Sequence, residues 1–485
     1  MRIMIDLTPA ASILGRLLFI LGSLMLIPAL LDGAMDNGNA GAFVEAAIIT
    51  AGTGMLVAMA TRAGLNRGFD TRSAFLLTLG IWVVLPMFAA LPMMTGAPGL
   101  SFTDAYFEAV SGITTTGSSV IIGLADQPQG LNLWRGMLNW LGGLGIAFIA
   151  MIFLPVMRVG GMQFFKTEGF DTLGKVLPRA SDIALSLLGV YAGLTLACLV
   201  VYLGVGMAPL DAVVHAFATI ATGGFSPQDA SFGAYPGLPE YAGALFMVLA
   251  ALPYIRYVQM VTGRHGALWR DPQARAFVIW LAVAVLILTL WRVLTEGGDP
   301  EPIFRDVLFN ATSIMTGTGF FAGTFSNWGG FVLVAAFILG VIGGCSGSSS
   351  GALTVFRVQL SVRAVIAQLR QIDMPDRIAA VRYDGRRVDT ETMNGVMMFV
   401  TSYILIIGVL SAALTFTGVD MQSALFAVWT SIGNIGYGIG PLVAGTGTFI
   451  EFPTAAKWIL IAAMLLGRLS LLAFLVVLMP RFWRD

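Results

Sequence analysis

Ser111-Gly112-Ile113-Thr114-Thr115-Thr116-Gly117-Ser118-Ser119 decides the fold, because it sets small and hydroxylic residues between segments that are almost wholly apolar. At membrane depth, irregular Gly/Thr backbone is tolerated only where it is buried in protein or lines an aqueous path, since no water satisfies its polar groups. The stretch therefore reads as a pore lining. Three further versions of it occur downstream.

The rest of the chain supplies the membrane. Its 485 residues are 57% hydrophobic and 11% charged, with mean hydropathy +0.84, values of an integral membrane protein. The net charge of zero argues against nucleic acid as a partner, which would need a concentrated basic face. Cys198 and Cys345 lie in apolar or glycine-rich segments, so each is expected to pack as a small residue, without a disulfide or metal site. Arg2 and Arg16 precede Leu17 to Leu31 with no clear cleavage site, which reads as an uncleaved first helix. No GxxxxGK[ST] loop occurs, so the chain is not itself a P-loop pump.

Apolar runs predict ten spans, at about 10–32, 43–62, 74–95, 132–157, 182–206, 240–262, 274–296, 329–356, 391–417 and 456–480. With a cytoplasmic N-terminus, most basic residues fall inside: Arg62, Arg67, Arg72; Arg158, Lys166, Lys175, Arg179; Arg264, Arg270, Arg275; Arg363, Arg370, Arg377, Arg382, Arg386, Arg387; and Arg481, Arg484. The outward connections hold chiefly Arg135 and Arg305. After two spans the chain repeats a unit of long helix, short helix, Gly/Thr turn and long helix. The division is two N-terminal helices (1–72), unit one (73–160), unit two (180–264), unit three (272–360), a basic cytoplasmic linker (361–390) and unit four (391–485).

The register rests on Gly117, Gly224, Gly319 and Gly436, and thirteen residues before each stands Asp104, Asp211, Asp306 or Ser423, residues that cap or charge a helix N-terminus. A short helix therefore starts near the outer surface and points its C-terminal end inward, where partial negative charge favours a cation. The four turns are Thr114, Thr115, Thr116, Gly117; Ala221, Thr222, Gly223, Gly224; Thr316, Gly317, Thr318, Gly319; and Gly433, Asn434, Ile435, Gly436. Glycine admits φ values that turn successive carbonyls to one side. Four such loops about an axis would form oxygen rings able to replace a cation's hydration shell, as in K⁺ channel filters. The N-I-G-Y-G from Asn434 approaches the T-V-G-Y-G of K⁺ channel filters. Glycine-rich helix-packing turns are the alternative. In the pore reading Thr114 to Gly117 act through main-chain carbonyls, with Gly117 expected to be the least replaceable residue of that turn.

The motifs resemble one family. F-E-A-V-S-G-I-T-T-T-G from Phe107, W-L-G-G-L-G-I from Trp140, H-A-F-A-T-I-A-T-G-G-F-S from His215, G-G-C-S-G-S-S-S-G from Gly343 and L-L-G-R-L from Leu465 are similar to signatures of Trk-H-type subunits of the Trk/Ktr/HKT superfamily of potassium transporters. The resemblance covers nearly the whole chain. It implies an all-α membrane protein with four M1-P-M2 repeats around a pseudo-fourfold pore and two extra N-terminal helices. It also implies a homodimer in the bacterial inner membrane, both termini cytoplasmic, regulated by a separate Trk-A-type nucleotide-binding ring, with no cofactor in this chain. The sequence departs from the pattern at Gly317, where relatives more often carry threonine, at Gly433, where asparagine is common, and at Thr354, where many carry lysine. The two glycines keep the carbonyl and lose a side chain, so altered rigidity is expected rather than lost K⁺ preference.

Gly343, Gly344, Cys345, Ser346, Gly347, Ser348, Ser349, Ser350 and Gly351 interrupt the apolar run at 329–356. Each interior glycine costs about 1 kcal/mol relative to alanine in a helix. The segment is expected to unwind below the filter as an intramembrane gate, with a seam of small packing residues as the alternative. Arg468 lies inside the last span, where a charge usually faces a bundle interior or a water-filled cavity. It is expected to point at 343–351 as a barrier or latch; pairing with a helix C-terminus or with Glu108 is the other reading. Glu108 is expected to brace the first turn from behind or draw cations to the mouth. His215, four residues after Asp211, reads as a structural hydrogen bond rather than an acid/base group. Two rivals stand beside K⁺ uptake: a Na⁺- or H⁺-coupled carrier with a broken-helix site, and an intramembrane enzyme using Asp211, His215 and a serine.

Overall fold

The computed structural model describes residues 7–62, 71–148, 180–323, 328–374, 380–468 and 479. Helices α1 (Thr8–Leu24) and α2 (Leu26–Ala34) run into α3 (Ala40–Ala60), which folds back on α1. Small residues allow this: a Cβ on Gly22 would meet the Ala51 nitrogen at 2.5 Å, and one on Gly15 the Ala58 nitrogen at 2.7 Å. In lipid, where burial of apolar surface drives nothing, such close backbone approach is what holds helices together.

Long and short helices then follow in turn. α4 (Thr71–Ala89) and α5 (Leu91–Thr95) lead to the short α6 (Phe102–Ile113) and to α7 (Gln129–Phe148). α8 (Ala180–Gly204) leads to the short α9 (Pro209–Ala221), then α10 (Leu238–Ala250) and α11 (Tyr254–Val261). α12 (Pro272–Glu296) leads to α13 (Pro300–Thr316) and α14 (Gly330–Ile342), after which α15 (Val355–Asp373) and a hairpin of β1 (Arg382–Tyr383) and β2 (Arg386–Arg387) form the linker. α16 (Thr390–Phe416) leads to α17 (Met421–Gly433) and α18 (Thr454–Arg468). Ser101, Asp271, Asp389 and Asp420 cap the starts of α6, α12, α16 and α17 through backbone N–H groups.

Among the described residues six helices are long and apolar enough to cross a membrane, and seven if the pair α10–α11 counts as one. Three expected spans differ. The one at 240–262 bends by 86° between α10 and α11, where Pro253 can donate no hydrogen bond and the Ala251 carbonyl accepts the Cys345 N–H at 3.0 Å. The one at 329–356 stops at Ile342 and unwinds. α7 falls short of span-like apolarity because Asn132, Arg135 and Asn139 are spent on buried polar contacts. The distal parts of the expected spans at 132–157 and 456–480 lie outside the described residues, as do Arg67, Arg158, Lys166, Lys175, Arg179, Arg377, Arg481 and Arg484.

One marker residue also shifts meaning. Asp104, Asp211 and Ser423 are each the third residue of their helix, but α13 starts earlier, so Asp306 sits a full turn in and Asp299 holds the N-cap position. The spacing of thirteen marks the repeat and not the cap. Both cysteines are buried and free.

Candidate functional site

The four short helices end on one ring. After each, the backbone alternates hand: Thr115, Thr222, Gly317 and Asn434 take φ of +50°, +51°, +72° and +51°, and the glycines two residues on take +89°, +69°, +81° and +87°. The residues between, Thr116, Gly223, Thr318 and Ile435, are not among the positive-φ positions. Alternation of this kind turns consecutive carbonyls toward the same side. It recurs in all four loops at one register, although only Gly117, Gly224, Gly319 and Gly436 share a residue type.

The glycines show how the loops meet. A Cβ on Gly117 would run into the Gly223 carbonyl oxygen, one on Gly224 into that of Thr318, one on Gly319 into that of Ile435, and one on Gly436 into that of Thr116. Each loop thus abuts the next in chain order, and the fourth closes on the first. A single cavity of about 230 Å³ opens onto all four glycines. The helix C-termini converge beneath it and contribute partial negative charge.

The junctions between units are pinned. Asp229 Oδ1 accepts the Gly123 and Leu124 N–H groups at 2.9 and 3.1 Å, joining units one and two. The Gly233 N–H donates to the Phe321 carbonyl at 3.3 Å, joining two and three. Phe321 and Tyr437 meet edge to face at 6.0 Å, joining three and four. Asn434 Nδ2 donates to Thr116 Oγ1 at 2.9 Å and Lys457 pairs with Asp104 at 2.6 Å, closing four on one. Thr114 and Thr316 hydroxyls bond those of Thr116 and Thr318 at 2.8 and 2.7 Å, and Ala221 and Gly433 are the last helical residues of α9 and α17.

Glu108 and Arg135 form a brace behind the first two loops that composition alone did not reveal. Arg135 is not an outward loop charge: it lies on α7, 1% exposed, with Nε 2.8 Å from Glu108 Oε1. Its Nη1 donates to the Ser226 carbonyl at 2.8 Å, and Glu108 Oε2 accepts the Val120 N–H at 2.9 Å. Fully buried and paired with Arg135, Glu108 braces the loop and is not a free carboxylate at the cavity. Removing one partner of a buried ion pair typically costs about 3–5 kcal/mol. Arg135→Met is therefore expected to lower the thermal-unfolding midpoint in detergent, with Arg135→Lys in between; an unchanged midpoint for Arg135→Met would mean the pair is dispensable.

His215 is structural. Its Nδ1 contacts the Asp211 carbonyl at 2.8 Å and its Nε2 the Ser226 hydroxyl at 3.1 Å, whereas the Asp211 carboxylate accepts from Gln228 at 2.8 Å and from the Tyr235 hydroxyl. The ring and that carboxylate are thus committed to different partners.

Segment 343–351 unwinds directly beneath the ring. Ser349 Oγ donates to the Ile220 carbonyl at 3.1 Å, Ser350 Oγ to the Thr316 carbonyl at 2.5 Å, and a Cβ on Gly351 would meet the Gly433 carbonyl at 2.6 Å. Three consecutive residues thus touch units two, three and four. Arg468 completes the set: its Nη2 donates to Thr115 Oγ1 in unit one and to the Ser349 carbonyl at 2.7 Å. Glu108 pairs with Arg135, and Arg468 takes neutral oxygens. The remaining loop residues anchor the segment: the Gly344 N–H bonds Ser350 Oγ at 3.0 Å, the Ser346 N–H bonds Gln273 at 2.9 Å, the Ser348 hydroxyl bonds the Cys345 carbonyl at 2.7 Å, and the Gly347 carbonyl accepts the Tyr254 N–H at 2.9 Å. Gly343 turns the chain at φ +74°. Thr354 ties down the loop from its far side, its hydroxyl 2.6 Å from that of Ser346.

Helices of membrane-spanning length arranged about four abutting loops define an all-α, multi-pass membrane protein. The chain belongs to the TrkH family, described as cation transport proteins, whose model matches residues 41–484. It is 40% identical over 481 residues to the Trk system potassium uptake protein TrkI of Halomonas elongata, covering 98% of this chain and 97% of that one. It is 33% identical to the Trk system potassium uptake protein TrkH of Escherichia coli (strain K12), covering 98% of each. The crystal structure of the potassium transporter TrkH from Vibrio parahaemolyticus superposes with a TM-score of 0.91 at 31% identity, covering 99% of this chain and 100% of that one. The family is one of transporters and not of enzymes, which removes the intramembrane-enzyme reading.

Proposed function

We propose that this chain is a potassium uptake subunit. Dehydrated K⁺ passes the carbonyls of Thr114–Gly117, Ala221–Gly224, Thr316–Gly319 and Gly433–Gly436, and then the gate formed by Gly343–Gly351 and Arg468. The observation that carries this reading is the cyclic contact of four alternating-hand loops, each glycine seated against a carbonyl of the next. The relatives named for potassium uptake supply the ion. The membrane potential supplies the drive, about 2.3 kcal/mol per charge at 100 mV. In this reading the chain is a homodimer in a bacterial inner membrane, both termini face the cytoplasm, and a Trk-A-type nucleotide-binding ring controls the gate.

The test is flux through purified protein in liposomes, with K⁺, Rb⁺, Na⁺ and NH₄⁺ compared. K⁺ and Rb⁺ are expected to pass well ahead of Na⁺, without fixed Na⁺ or H⁺ stoichiometry. Equal Na⁺ and K⁺ permeation overturns the filter assignment, and strict co-ion stoichiometry favours the coupled carrier.

A further inference from the structure

A second cavity, of about 530 Å³, lies away from the ring, between the end of α11 and the start of α12. Arg256, Gln259, Arg264, His265 and Arg270 line it, with Asp384 of the hairpin on its rim. Its floor is already satisfied. Arg256 pairs with Asp271 at 2.7 Å and donates to Gln259 at 3.1 Å, and the other Asp271 oxygen caps α12 through the Gln273 and Ala274 N–H groups. Arg264 and Arg270 differ: both are exposed, and neither has an ion pair among the described residues. Of the two acids that line it, Asp271 is committed to Arg256 and to the start of α12, which leaves Asp384 against Arg264 and Arg270.

The surroundings select the occupant. The 25-residue span α12 begins at Pro272, immediately after Asp271, so the cavity sits at headgroup depth. Val261 and Trp269 flank the two free arginines and are 80% and 70% exposed. In water that much apolar surface beside guanidinium groups would stay uncovered, whereas at a bilayer interface tryptophan settles among headgroups and arginine meets phosphate. A soluble anion would satisfy the arginines but leave Val261 and Trp269 bare.

We propose that this cavity binds the phosphate of an anionic phospholipid from the adjoining leaflet, with Arg264 and Arg270 as its ligands and Trp269 against the glycerol and acyl-chain region. The site stands independently of the ion that the protein carries. It also lies one short helix from the loop beneath the ring. Tyr254, the first residue of α11, holds the Gly347 carbonyl through its N–H at 2.9 Å and Ser349 Oγ through its hydroxyl at 2.8 Å.

The test uses the full chain in phosphatidylcholine nanodiscs, titrated with phosphatidylglycerol and followed by native mass spectrometry and thermal unfolding. Phosphatidylglycerol is expected to remain bound and raise the unfolding midpoint. Arg264→Gln with Arg270→Gln should weaken that binding about thirtyfold, equivalent to about 1 kcal/mol per arginine, without changing the midpoint in pure phosphatidylcholine. Trp269→Ala should weaken lipid binding too. Equal behaviour of the two lipids overturns the site. So does a phosphatidylglycerol effect that survives the double substitution, or one that millimolar inorganic phosphate reproduces, since the last would mark a soluble-anion site.

Discussion

Gly319→Ala is expected to abolish discrimination between K⁺ and Na⁺ in reconstituted flux. Two costs fall on this position at once. Its φ of +81° belongs to the left-handed region, which costs a residue with a Cβ about 1–2 kcal/mol. The larger cost is steric. The added carbon would sit against the Ile435 carbonyl oxygen, nearer than at any other glycine of the ring, and Gly319 is the one of the four that is buried. It has no room to yield except by displacing that oxygen, itself a member of the ring. Gly117 is less confined, with 2.5 Å to the Gly223 oxygen and a half-buried surface. Gly206→Ala separates the two costs: its φ is +94°, yet a Cβ there would meet nothing within 4 Å. Rb⁺ over Na⁺ flux should collapse in Gly319→Ala and persist in Gly206→Ala. A normal ratio in Gly319→Ala would mean that the ring does not select.

Much of this was legible before any coordinates, and particular residues show why. The glycine at the end of each turn is forced by backbone hand and by a neighbouring carbonyl, so it is the one residue that cannot drift, and it marks the register in plain sequence. The residue two positions earlier needs the same left-handed conformation without the crowding, and there threonine, glycine and asparagine all serve. The closing order of the ring was not legible, because contacts such as Asn434 to Thr116 join residues 318 apart. Glu108 as a brace was legible, but its partner Arg135 was not, since Arg135 reads as an outward loop charge until it proves buried on α7. A cue did exist: α7 is too polar for a lipid-facing helix, and Asn132, Arg135 and Asn139 recur at spacings of three and four, along one face. The broken helix at Ala251 was hidden by its apolarity, since hydropathy does not register a carbonyl diverted to the Cys345 N–H.

Arg468→Ala is expected to raise resting K⁺ flux about a hundredfold. The guanidinium bridges Thr115 of unit one and the Ser349 carbonyl of segment 343–351, and so ties that loop to the one unit that Ser349, Ser350 and Gly351 do not reach. Hydrogen bonds from a charged donor are worth about 1.5–3 kcal/mol each. If the open state makes neither, losing both shifts the closed-to-open balance by about 3 kcal/mol, or two factors of ten. The same side chain could instead act by charge alone, repelling K⁺ beneath the ring. Arg468→Lys distinguishes the two, because lysine keeps the charge on a shorter stem, whereas both bonds come from Nη2 at the far end of the guanidinium. A latch predicts that Arg468→Lys leaks nearly as much as Arg468→Ala, and a purely electrostatic barrier predicts that it stays closed. Flux in Arg468→Ala no higher than in the unmodified protein removes both roles and leaves the serine segment as the sole obstruction.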